Sequence, residues 1–202
     1  SEEREFSDDI FKHEIYWLID PLDGTSSYIN GYTEYTVNIA LIHKNVPVIG
    51  LIAHPPTKKI WYANHNSLTI FNDNLKINRN CINKTDNNFS IITSKEKQKI
   101  LTDYLKLFKK SKIIKASSSL KFCKLAENEV KLYPRFSRIS KWDIAAGHAI
   151  LNAAGGGVLG LDKKKLVYNS MGSKITPFFA ISNMKYKEII FSNYNKLVKN
   201  SF

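Results

Sequence analysis

Cysteine is scarce in this chain: Cys81 and Cys123 are the only two in 202 residues, and neither has a Cys or His partner at zinc spacing. That excludes a disulfide-stapled scaffold and a zinc module; the pair reads as free thiols in a reducing compartment, with one pairing left open. Long apolar runs are also missing. No segment is long enough to cross a bilayer as a helix, and the opening SEEREFSDDI has neither the basic start nor the apolar stretch of a signal peptide. No internal repeat is visible, which excludes solenoids and propellers. Acidic residues are in the minority, 18 against 30 Lys and Arg, giving a formal charge of +12. The longest basic run is Lys163–Lys165, and no aromatic residues interleave it. Dispersed charge of this kind attracts anions weakly and without specificity, so nucleic acid is not an expected partner. A small polyanion fits better.

What is present is an ordinary globular composition, 43% hydrophobic and 24% charged. The length can bury a core as one domain or as two small ones. Lys travels with much Asn and Ile, as in NHNSLTIFNDNLKINRNCINKTDNN, which reads as a bias of the source more than a designed basic surface.

Ile15–Ile19 is a short apolar run that ends at Asp20-Pro21, a buried strand delivering an acid at its C-terminal end. Thr36–Ile42 and Val46–Ala53 flank His43-Lys44-Asn45 as a hairpin, and Ile60–Ala63, Leu68–Phe71 and Leu75–Ile77 read as further strands. The polar stretch Asn83–Asn88 divides residues 1–85, mostly antiparallel sheet, from residues 86–202, where strands and helices alternate. In the second part the pattern predicts strands at Phe89–Thr93, Ile113–Lys115, Val130–Tyr133 and Phe178–Ser182. Helices are expected at Lys95–Lys109, Leu120–Asn128, Asp143–Ala154 and Tyr186–Val198. Gly155–Gly157 reads as a helix stop.

The chemistry concentrates in WLIDPLDGTSSY, residues 17–28. Asp20 and Asp23 are three residues apart, Pro21 stiffens the turn between them, and Gly24 permits an unusual backbone angle. Two carboxylates held this close repel unless a cation lies between them, and hard divalent ions such as Mg²⁺ prefer such oxygens. Thr25 opens a helix whose first N–H groups, with that of Gly24, point at an anion site. Taken alone, both acids serve equally well as turn and helix caps. A second acidic segment, KWDIAAGHAILNAAGGG at 141–157, carries Asp143 at the head of a helix rich in small residues. That helix can approach a neighbour closely and bring Asp143 beside the first pair. By itself Asp143 reads as an N-cap, and His148 as an ordinary helix-surface or core histidine.

Together DPLDGT (20–25) and WDIAAG (142–147), followed by Ala-Gly-Gly, resemble the two signatures of the inositol monophosphatase superfamily, and the likeness covers essentially the whole chain. EYTVNIALI (34–42), SSLKFCKLAENEVKLYPRF (118–136) and WDIAAGHAIL (142–151) resemble its CysQ-like branch of 3'(2'),5'-bisphosphate nucleotidases. Ser26-Ser27 departs from the Lys-Glu that often follows Asp-Gly-Thr in that branch. The resemblance implies an α/β sugar-phosphatase fold in alternating α, β, α, β, α layers, and a Mg²⁺-dependent phosphomonoesterase with two or more ions. One ion is expected on Asp20, the Leu22 carbonyl and Glu2 of Ser1-Glu2-Glu3; a second on Asp20, Asp23 and Asp143. Gly24 and Thr25 would hold the phosphate, Thr25 also orienting water, and Ser118, Lys121 and Arg135 would bind the ribose and second phosphate.

Family members carry about one more helical segment ahead of the Glu-Glu motif, with an Asp that bonds the threonine matching Thr25. The chain as given begins after it, so one face of the first sheet is expected to expose apolar surface. A cytoplasmic enzyme in sulfur assimilation follows, with at most peripheral membrane association and room for a homodimer. Two other readings stay open: an inositol- or sugar-phosphate phosphatase, and an inactive truncated nucleotide- or metal-binding remnant.

Overall fold

A computed structural model describes residues 7–64, 67–73, 75–79, 89–95 and 97–199. After a 3₁₀ turn at Asp8–Lys12 come β1 (Ile15–Asp23), α1 (Thr25–Ile29), β2 (Thr36–His43), β3 (Val46–His54), β4 (Lys59–Asn64), β5 (Ser67–Asn72) and β6 (Leu75–Arg79). Each of these strands pairs antiparallel with its neighbour in sequence, giving one six-stranded sheet in the order β1 to β6. The β2–β3 hairpin turns on Lys44 and Asn45, both with positive φ (48° and 64°), the geometry that matches the twist of the flanking strands.

Side chains alternate across a strand, so one face of this sheet is dry and the other half open. In β2, Thr36, Asn38, Ala40 and Ile42 are buried, whereas Val37, Ile39 and Leu41 are only partly covered. On the open face Ile15 is 59% and Trp17 50% exposed, the apolar surface expected from the sequence.

The chain continues through β7 (Ser90–Thr93), α2 (Lys99–Lys106), β8 (Lys112–Lys115), α3 (Leu120–Ala126), β9 (Leu132–Arg135), β10 (Ile139–Ser140), α4 (Lys141–Ala153), β11 (Gly157–Gly160), β12 (Lys174–Ile175), β13 (Phe178–Ile181) and α5 (Lys187–Lys199). The second sheet runs β11-β13-β9-β7-β8, with β7 parallel to β8 and β9 and β13 antiparallel to β9 and β11. α4 packs across β1–β4 and against α3, which in turn contacts β9 and β13. α2 and α5 cover the outer face, where Tyr104, Phe108, Phe179, Ile190 and Phe191 form a cluster. Among the described residues the layers are therefore β, α, β, α, a mixed α/β architecture.

Small residues let α4 sit close to both neighbours. A Cβ on Gly50 of β3 would fall 2.4 Å from the Ala146 carbonyl oxygen, and one on Gly147 would fall 2.3 Å from the Phe122 ring. Such contacts are impossible for any larger residue, so glycine at both positions sets the spacing of helix to sheet and helix to helix. The main core mixes Ile42, Trp61 and Ile70 with Phe122, Tyr133, Ile150 and Phe178, joining both halves of the chain. The expected boundary at Asn83–Asn88 lies outside the described residues.

Several elements differ from the sequence reading, the short β10 and β12 among them, and three show why. The helix expected over Lys95–Lys109 is confined to α2, Lys99–Lys106. The strand expected at Val130–Tyr133 is displaced to Leu132–Arg135, because Asn128 (φ 58°) and the Glu129 N–H to Lys124 carbonyl bond close α3 first. β11 was hidden because its glycines read as a helix stop, a task that Gly155 (φ 85°) performs alone. Among the described residues no helix is long and apolar enough to cross a membrane.

Candidate active site

In a regular strand, residues three apart point to opposite faces, so Asp20 and Asp23 could not cooperate. The register removes the obstacle. Asp20 pairs with Asn38 and Asp23 with Thr36, so β1 spends three steps where β2 spends two. This bulge at Pro21-Leu22 turns both acids to the dry face that Thr36 and Asn38 share. Asp20 is 1% exposed, and one of its oxygens accepts the Leu22 N–H at 3.0 Å. Gly24 follows at φ 91°, and a Cβ there would lie 2.7 Å from the Glu34 carbonyl oxygen. α1 then starts at Thr25, whose exposed hydroxyl donates to the Leu22 carbonyl at 2.9 Å.

Asp23 is held through one oxygen. Its Oδ2 accepts the Ser119 N–H at 2.6 Å, the Ser119 hydroxyl at 2.7 Å, the Asn38 amide at 3.1 Å and the Thr36 hydroxyl at 3.4 Å. The Ser119 Oγ also lies 2.6 Å from the Asp143 carbonyl oxygen. One hydroxyl therefore stands between the acid at the end of β1 and the backbone of the first turn of α4. Ser140 occupies the N-cap position of α4 and Asp143 the third helical position, so Asp143 is not itself the N-cap residue.

Asp20, Asp23, Asp143 and the Leu22 carbonyl offer only oxygen donors, the chemistry that suits Mg²⁺. Among the described residues no three His, Cys, Asp or Glu side chains gather closely enough to hold a metal ion by themselves. Mg²⁺ ordinarily keeps waters and takes substrate oxygens to complete its octahedron, so an open set of this kind fits it. Glu2, the remaining expected ligand, lies outside the described residues.

The expected substrate residues occupy the neighbouring wall. Ser118 is 8% exposed with φ 54°, and its Cβ would be 3.2 Å from a Cβ on Gly24, so the two turns meet. Lys121, 6% exposed, donates to the carbonyls of Ser118 at 2.6 Å and Ala116 at 3.5 Å and sits 5.4 Å above the Tyr133 ring. It pins the left-handed Ser118 turn. Arg135 ends β9 half-buried, and its Nη1 donates to the Ser94 hydroxyl at 2.9 Å.

Sequence reasoning missed Thr36, Asn38, Ser94 and Ser119. Thr36 and Asn38 were detectable as polar residues at inward positions of an otherwise apolar alternating strand. Ser94 follows β7, which is parallel to β9, so its position at the carboxyl end of a parallel strand beside Arg135 was a usable signal. Ser119 gave no signal, since its partners arrive from β1, β2 and α4. His148 lies in the core, 3.4 Å from the Tyr168 hydroxyl; burial, with a smaller push from Lys165, lowers its pKa to about 3.

A bulged strand end carrying two carboxylates, with a buried Lys and a half-buried Arg on nearby elements, is set within layered sheets and helices. Residues 1–195 match the inositol monophosphatase family, and the chain belongs to it. It is 37% identical over 168 residues to the 3'(2'),5'-bisphosphate nucleotidase CysQ of Salmonella typhimurium, covering 83% of this chain and 68% of that one. The corresponding figures for CysQ of Buchnera aphidicola are 39% over 162 residues, 78% of this chain and 60% of that one. The chain thus spans about two thirds of the length of these relatives. The crystal structure of CysQ from Bacteroides thetaiotaomicron superposes with a TM-score of 0.81 at 29% identity, over 89% of this chain and 74% of that one.

Proposed function

We infer that this chain is a Mg²⁺-dependent phosphomonoesterase that hydrolyses adenosine 3',5'-bisphosphate to AMP and phosphate. The bulge that puts Asp20 and Asp23 on one face, with Ser119 tying Asp23 to the backbone of Asp143, is the observation that carries the reading. Family membership and identity to two bisphosphate nucleotidases support the substrate.

Asp20, Asp23, Asp143, the Leu22 carbonyl and Glu2 would hold the metal. Bound there, Mg²⁺ supplies Lewis acidity, acidifying a water and neutralising charge in the in-line displacement. The Thr25 hydroxyl spends its proton on the Leu22 carbonyl, so its lone pairs are free to accept from the attacking water and aim it. Gly24 brings bare backbone to the phosphate. Arg135 grips the second phosphate by charge-assisted hydrogen bonds, while Lys121 holds the Ser118 turn and adds positive charge close by. A cytoplasmic location goes with this substrate.

Phosphate release from adenosine 3',5'-bisphosphate and from inositol 1-phosphate, each with and without Mg²⁺, tests the reading. Mg²⁺-dependent preference for the nucleotide is expected. Faster release from inositol 1-phosphate would overturn it.

A further inference from the structure

All four hydrogen bonds to the Asp23 carboxylate fall on Oδ2, two of them from Ser119. A carboxylate fixed in this way cannot rotate, and it presents only Oδ1 to a cation. Ser119 is 2% exposed, and its hydroxyl also accepts the Asn38 amide at 2.9 Å while reaching the Asp143 carbonyl. Its single proton lies between two acceptors that belong to different layers of the fold. Among the described residues, Ser119 is the hydroxyl shown bonding both the Asp23 carboxylate and the Asp143 backbone carbonyl.

Mg²⁺ demands a tight octahedron and takes carboxylates one oxygen at a time, whereas Ca²⁺ is larger, accepts seven or eight ligands and readily takes both oxygens of one carboxylate. From this geometry we propose that Ser119 is a positioning residue that sets metal choice. By occupying Oδ2 of Asp23 it enforces one-oxygen coordination, and by reaching Asp143 it fixes the distance between the β1 acids and α4. The proposal rests on the metal-site reading above. It assigns Ser119 no contact with the substrate or the reacting atoms.

Calorimetric titration of the substrate-free protein with Mg²⁺ and separately with Ca²⁺ reads the effect directly. Ser119→Ala should weaken Mg²⁺ binding about tenfold, the scale of lost outer-shell support, and Ca²⁺ binding by less than about threefold. Half-saturating Mg²⁺ in turnover should rise in parallel, with a smaller change in kcat. Ser119→Thr, which keeps the hydroxyl, should restore the wild-type Mg²⁺ to Ca²⁺ ratio. Equal weakening of both ions, or none, at an unchanged melting temperature would overturn the proposal. If Ser119→Ala melts early, Asn38→Leu removes one donor from the same oxygen from the β2 side, and an unchanged ratio there overturns it equally. Asp23→Asn separates the two layers of argument: intact Mg²⁺ binding and turnover in that variant would sink the metal site itself.

Discussion

The two sheets contribute to the site in opposite ways. In the first, each strand pairs with its sequence neighbour, and two of the three acids come from one strand end with a bulge, a left-handed glycine and a short helix. In the second, strands pair out of order, and Ser94 and Arg135 meet 41 positions apart because β7 and β9 lie side by side. The turn that carries Asp20 and Asp23 is built from neighbouring residues, and the wall at Ser94 and Arg135 is a tertiary one. A local device fails when one residue in it changes. A tertiary contact fails by degrees, because several segments share it.

The sharpest way to break this comparison is Asp23→Asn. The amide keeps the shape and can still accept from Ser119, but it removes the charge that a cation needs. Turnover should fall about a thousandfold or more, as several kcal/mol of charge stabilisation is lost, with circular dichroism unchanged. Retained turnover would make the acidic corner no more essential than the wall opposite.

Gly24→Ala tests whether the corner depends on local backbone alone. The new Cβ would meet the Glu34 carbonyl oxygen at 2.7 Å in a backbone held at φ 91°. A loss of about 2–3 kcal/mol in urea unfolding is expected, with reduced turnover, from strain plus the clash. A variant as stable as the parent would show that the Asp-Gly-Thr turn yields easily.

The same contrast explains what could be read from the sequence. Alternating strands and the hairpin at Lys44-Asn45 are encoded in neighbouring residues, so β1 to β6 were visible. DPLDGT was visible as a turn with two acids, although nothing local says that its bulge turns them to one face; that emerges only from pairing with Thr36 and Asn38. Lys121 read as a substrate cation. The structure adds its bonds to the Ser118 and Ala116 carbonyls, contacts that depend on the Ser118 turn being left-handed. Ser119 was invisible because each of its partners is distant in sequence. β11 was lost because three consecutive glycines signal a stop more strongly than a strand.

Arg135→Ala sharpens the comparison from the second sheet. Charge-assisted hydrogen bonds contribute about 1.5–3 kcal/mol each, so KM for adenosine 3',5'-bisphosphate should rise roughly 10- to 100-fold. A substrate with one phosphate should lose little. Equal losses for both would mean that Arg135 serves the fold through Ser94 and not the second phosphate.

His148 tests the join between the sheets. It sits on α4 beside Tyr168, whose N–H bonds the Asn45 carbonyl in the β2–β3 turn and whose carbonyl accepts the Tyr16 hydroxyl of β1. Burial holds the imidazole neutral, with its folded pKa lowered from 6.5 to about 3. Between those values the unfolded chain binds a proton that the folded one refuses, so stability is full above pH 6.5 and falls as pH drops toward 3. The contribution is about 2 kcal/mol by pH 5, at about 1.4 kcal/mol per pH unit. His148→Phe should remove that slope, making urea unfolding less steeply acid-sensitive between pH 6.5 and 5. An unchanged slope would show that the acid sensitivity does not arise from His148. The join would then add nothing to the pH response.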